Sequence, residues 1–128
     1  MERFSPMKEL RFTAEAFPKV LHGSKLITVR KDRGWIHELK HGEIFLAQFD
    51  GDPGCVLLLQ ATEDTEYVPF SKLSEEVAIM DGYTASAELF EDFRKRFYPG
   101  LKRKDIAAII RFRILKKSVG DFLWKSRD

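Results

Sequence analysis

Lys25, Thr28 and Arg30 place an ammonium, a hydroxyl and a guanidinium in one short stretch of the chain. Ile27, Thr28 and Val29 are β-branched in succession, which favours a strand. On a strand alternate side chains share a face, so Thr28 and Arg30 point one way and Ile27 and Val29 the other. Lys25 stands at the turn just before the polar face. Such a set suits an anion, a nucleotide or a polarised carbonyl. The same pattern also describes an edge strand with one solvated face, and pattern alone favours that plainer reading.

A second constellation is His37-Glu38-Leu39-Lys40-His41, which spells the H-E-x-x-H zinc-protease motif. That chemistry needs both histidines one turn apart on a helix, with the glutamate as general base. Gly34 and Gly42 bracket the segment too closely for such a helix, and no histidine follows His41 as a third ligand. The match is expected to be accidental, with no metal and no cofactor. The chain carries no phosphate loop, no dinucleotide fingerprint and no G-x-S-x-G elbow.

The elements that must position these residues follow from periodicity and punctuation. The sequence predicts a strand over 9–13, a helix over 14–22, and Gly23 as its C-cap. A long loop is expected over 31–41, then a strand over 43–50. The turn formers Asp50 to Gly54 should join that strand to an apolar one over 55–61, extending toward Val68. A short helix ends near Met80, and Asp81-Gly82 stops it. Thr84 or Ser86 is expected to cap the next helix, whose Leu89/Phe90, Phe93 and Phe97 recur at helical spacing. Residues 106–115 form the last strand, and a tail over 117–128 carries Trp124. Phe12, Ile27, Val29, Phe45, Leu57, Leu59, Ile110 and Phe112 are the predicted core.

Gly23-x-Lys25-x-x-Thr28-x-Arg30 resembles the leading motif of ASCH domains, a branch of the PUA-like superfamily. Leu10-Arg11-Phe12, Gly42, Asp81-Gly82-Tyr83, Phe97-Tyr98-Pro99 and Ile109-Ile110-Arg111-Phe112 follow in the order the family shows. The resemblance covers about residues 8–116. It implies one domain of α+β, mainly β class: a PUA-like mixed β-barrel with short helices covering its ends and a cleft beside the barrel.

Some small bacterial ASCH proteins are amidohydrolases that deacetylate N(4)-acetylcytidine. The resemblance to them implies Lys25 as general base, Thr28 as nucleophile and, at the family's glutamate position, Asp81 as proton donor. Aspartate is one methylene shorter, and only Glu76 or Glu88 offers a nearby glutamate. A threonine hydroxyl needs an adjacent base. A lysine becomes one only where burial or a neighbouring cation such as Arg30 favours its neutral form. PUA-like domains also bind RNA, so a non-catalytic RNA-binding module is the competing expectation. For that role Arg30, Lys31 and Arg33 supply charge, and Trp35 and Tyr83 supply aromatic faces. The expected partner is RNA or a modified nucleoside.

Composition bounds these readings. The 128 residues, 44% hydrophobic with 11 phenylalanines, suffice for one real core. Net charge is only +2, but residues 63–92 are acidic and the chain turns basic from Arg94, through Arg94-Lys95-Arg96 and Lys102-Arg103-Lys104. That asymmetry fits a nucleic-acid face and solvated surface equally well. Cys55 is the single cysteine, so no intrachain disulfide forms, and a buried thiol in a reducing, cytoplasmic compartment is expected. No apolar run approaches a membrane span.

Overall fold

A computed structural model describes residues 7–51 and 56–115. The expectations for Cys55, for most of the turn before it and for the tail with Trp124 lie outside the described residues. Six strands form one mixed sheet in the order β1 (Glu9–Phe12), β3 (Ile44–Phe49), β4 (Val56–Ala61), β6 (Ile106–Ile114) and β2 (Ile27–Lys31). β5 (Glu66–Pro69) pairs with β6 off this path. β1 and β3 run parallel; the other pairs are antiparallel.

β6 is the spine. Its first half lies between β2 and β5, with Ile109 opposite both Val29 and Glu66. Its second half passes to β4, where Phe112 meets Ala61. Changing partners along one strand curls the sheet into a half-barrel. It also buries β6 on both faces, which is why Ala107 to Ile110 reads as an unbroken apolar run.

Alternation along the strands separates two apolar clusters. Leu10, Phe12, Phe45, Phe49, Leu59, Ile110 and Phe112 fill the inside of the curl, closed by Ala16 and Val20 of α1 (Ala16–Leu21). Ile27, Val29 and Ile109 face outward and pack on α2 (Glu75–Met80) and α3 (Ser86–Arg96) through Val77, Phe90 and Phe93. All eight predicted core residues are buried.

Three local expectations are corrected. β4 ends at Ala61, and residues 62–65 turn the chain before β5 begins separately at Glu66. The N-cap position of α3 is Ala85, not Thr84 or Ser86; Ser86 instead donates to Glu75 across the α2–α3 junction. The loop over 31–41 contains a 3-10 turn at Gly34–His37. His37 is buried in that turn, and its Nδ1 accepts from the Arg33 N–H at 3.2 Å. His41 lies exposed beyond it, in a segment with no helical repeat linking the two rings.

Candidate functional site

Two helix ends deliver the charged side chains. α1 closes with the Gly23 N–H donating to the Val20 carbonyl and the Ser24 N–H to that of Lys19, both near 3 Å. α2 closes the same way, Gly82 donating to Ile79 and Tyr83 to Ala78. Both are Schellman caps, and both need left-handed backbone at the glycine: φ is +79° at Gly23 and +104° at Gly82. Lys25 leaves the first cap and Asp81 sits at the second, so the sequence's two helix-glycine stops aim these side chains at each other. The Lys25 ammonium hydrogen-bonds the Asp81 carboxylate.

β2 supplies the rest. Since Ile27 and Val29 face α2 and α3, Thr28 and Arg30 face the inside of the curl. The edge-strand reading fails on this point. β2 does end the sheet, but Thr28 is only 5% exposed. Arg30 Nε donates to Thr28 Oγ1 at 3.2 Å, and the guanidinium lies 4.7 Å from the centre of the Phe12 ring, a cation–π contact. No ion pair holds Arg30 among the described residues. Arg30 borders the cleft with no carboxylate paired to its guanidinium.

These groups line a cavity of about 350 Å³, within the range for small-molecule sites. Lys25, Thr28, Arg30, Asp81 and Tyr83 all border it. Lys31, Arg33 and Trp35 do not. Lys31 pairs with Asp105 at 3.9 Å, and Arg33 lies over the Tyr98 ring. Trp35 is exposed elsewhere, with the Lys8 ammonium 4.9 Å from its ring centre. Glu76 and Glu88 are also off the cavity, leaving Asp81 and Glu15 as its acids. Among the described residues, no cluster of histidine, cysteine and carboxylate side chains fits a metal ion.

Sequence reasoning missed Glu15, Arg96 and Phe97 at the mouth and Phe12 under Arg30. In the sequence Phe12 and Phe97 read as apolar spacing and motif, Arg96 reads as part of a basic cluster, and Glu15 carries no signal. Tyr83 donates its hydroxyl to Asp92 at 2.6 Å, and Arg96 Nε holds the same carboxylate at 3.0 and 3.1 Å. Burial and this acceptor push the Tyr83 phenol well above its ordinary range, so it acts as a neutral wall.

Burial pushes the Asp81 carboxyl upward, opposed by Lys25, Arg30 and the Val29 amide. Burial likewise pushes the Arg30 guanidinium downward, partly countered by Tyr98 and Asp81. Chemically, the cleft offers a hydroxyl, an ammonium–carboxyl pair able to share a proton, and a guanidinium open to an oxygen-bearing ligand.

No protein-family model matches the chain, and no curated protein matches it by sequence. Solved structures do. A protein from Enterococcus faecalis V583 (EF3133, family model DUF984) aligns with a TM-score of 0.63 at 18% identity, over 88% of this chain and 82% of that one. The hypothetical protein PH0355 aligns at 0.62 and 17% identity, over 84% and 97% of the two chains. An ASCH domain from Lactobacillus crispatus JV V101 aligns at 0.61 and 16% identity, over 78% and 70%.

Proposed function

An ASCH-type half-barrel carries this cleft, and we propose that the cleft binds a nucleotide, free or within RNA. Its catalytic form would be an amidohydrolase that removes the acyl group from an N(4)-acetylcytidine-like base. The observation that carries the reading is the convergence of Thr28, Arg30 and the Lys25–Asp81 pair on one cavity. Arg30 supplies what a carbonyl or phosphate needs, since its fork is preorganised and not occupied by an acid.

The reaction uses the pair as a proton store. One proton passes from Lys25 to Asp81, leaving two neutral groups in a poorly solvated site. The Thr28 hydroxyl attacks the acyl carbon and gives its proton to the Lys25 amine. Asp81 protonates the departing exocyclic amine as the acyl C–N bond breaks, and water then hydrolyses the threonine ester, returning the hydroxyl and releasing the acid. Arg30 steadies the oxyanion.

A second reading is favoured by one specific contact. Arg30 Nε donates to Thr28 Oγ1, which draws electron density from the oxygen that would attack. With that bond retained, the cleft is a binding module without turnover. Incubation with N(4)-acetylcytidine and chromatography for cytidine, beside a cytidine titration, separates the two. Released cytidine supports the hydrolase; binding without release supports the module; neither binding nor release sinks both.

A further inference from the structure

The rim of the cavity differs from its floor. Ile79 and Met80, at the end of α2, and Phe97, just past α3, border the mouth and stay exposed; Phe97 is 42% exposed. Phe97 is propped in place, its ring 5.9 Å from Phe93 and 6.2 Å from Tyr98. The Arg96 guanidinium lies 4.9 Å from the Phe97 ring centre and is itself held by Asp92 and Glu15. Arg11, paired with Asp50 at 3.6 Å, and Lys19 border the same mouth. An apolar rim with a fixed aromatic, beside two ion-paired arginines and one lysine in no ion pair among the described residues, is thus joined to a polar floor.

Resting on the proposed nucleotide site, we propose that this rim grips the nucleotides flanking the one in the cavity, so that the preferred ligand is a single-stranded oligonucleotide and not a free nucleoside. A cavity of about 350 Å³ is sized for one nucleoside, so neighbours on the same strand must lie outside it. Phe97 offers a face on which a flanking base stacks, with Ile79 and Met80 extending the apolar surface. Arg11, Lys19 and Arg96 offer charge to the phosphates on either side. Stacking on an aromatic tolerates any base, because every base has a π-face. Phosphate contacts add an affinity that falls as salt rises. A purely apolar rim would fit a protein partner better; the exposed Lys19 ammonium, and arginines whose acids can yield them to a phosphate, favour the polyanion.

The test compares cytidine with a triribonucleotide carrying cytidine at its centre, titrated against the full chain at two salt concentrations. Wild type should bind the trimer at least about tenfold more tightly, the scale of one stacked base, and that advantage should shrink with salt. Phe97→Ala should bring the ratio of the two affinities toward one, and Phe97→Tyr should restore it. Because Phe97 also touches Phe93, Met80→Glu is a second variant at a more exposed position; it should also lower the ratio. Equal affinities in wild type, with cytidine still bound, would overturn the rim assignment and leave the nucleotide site standing. Concentration-dependent self-association lost in Phe97→Ala, with the ratio unchanged, would assign the rim to a second copy and also overturn it. Binding of neither ligand would remove the underlying site.

Discussion

Lys25 and Asp81 meet across 56 positions of sequence in an ion pair that is nearly out of water, with side chains 14% and 5% exposed. Removing one partner of a buried pair leaves the other charge uncompensated, at a cost of about 3–5 kcal/mol. Lys25 keeps some solvent, and burial already favours the uncharged Asp81 carboxyl, which puts Asp81→Asn below that range. Asp81→Glu keeps the charge on an arm one methylene longer and should cost much less. A double-mutant cycle with Lys25→Met, read by denaturant unfolding, should show coupling. Strict additivity of the two single losses would mean that the pair is not formed.

Arg30 poses the opposite case. Its guanidinium is half-buried with no carboxylate on it, and burial pushes its pKa down, so holding the charge there costs the fold some desolvation. Arg30→Met should leave stability unchanged or raise it by about 1 kcal/mol, while cytidine affinity falls by at least about tenfold. Arg30→Lys should also lose affinity, since an ammonium lacks the planar fork. A Tm lowered by Arg30→Met with ligand affinity intact would make Arg30 a structural residue.

His37 sets an acid limit. Burial, aided by Arg30, lowers its pKa to about 4 from the usual value near 6.5, and Nδ1 must stay unprotonated to accept from Arg33. The unfolded chain therefore binds the extra proton first as pH falls. Stability from this group is complete above about pH 6.5 and is lost on going down to about pH 4, by on the order of 2–3 kcal/mol. Asp81, raised by burial, acts in the opposite sense: its share is present at low pH and declines as pH rises through its folded value. The His37 part is thus read as the difference between wild type and His37→Gln. Parallel stability–pH curves for the two proteins would refute it.

The two glycine stops were legible because a helix followed by glycine has one economical ending, and both occur as left-handed caps at Gly23 and Gly82. The alternation around Ile27 and Val29 also told which residues face the core. It could not tell that the opposite face is enclosed, because Thr28 faces a cavity whose other wall comes from residues 79–83 at the α2 end, distant in sequence. The same limit explains Phe97 and Arg96. Helical spacing places both on α3 or at its end, and only the packing of α3 against the curl reveals that they border the cavity. Trp35 shows the converse, since proximity to Arg30 along the chain does not bring it to the cleft.

Gly82 tests the delivery of Asp81. Nothing lies within 4 Å of a Cβ added there, so Gly82→Ala meets no clash and pays only for the left-handed backbone, about 1–2 kcal/mol. If the cap aims Asp81, this variant should weaken cytidine binding or turnover more than that stability loss explains. Unaltered function at matched folded fraction would show that Asp81 is held by Lys25 alone.

The most direct test of the cleft is single-turnover hydrolysis of N(4)-acetylcytidine by wild type and Thr28→Val, each beside an equilibrium titration of cytidine. Thr28→Val keeps the shape of the side chain and removes the attacking oxygen. The loss of one neutral hydrogen bond is worth only about 0.5–1.5 kcal/mol, so cytidine should still bind within roughly tenfold. The proposed hydrolase predicts cytidine release by wild type, none by Thr28→Val, and binding by both. Release that survives Thr28→Val would contradict the nucleophile, and a wild-type chain that neither releases nor binds cytidine would contradict the site.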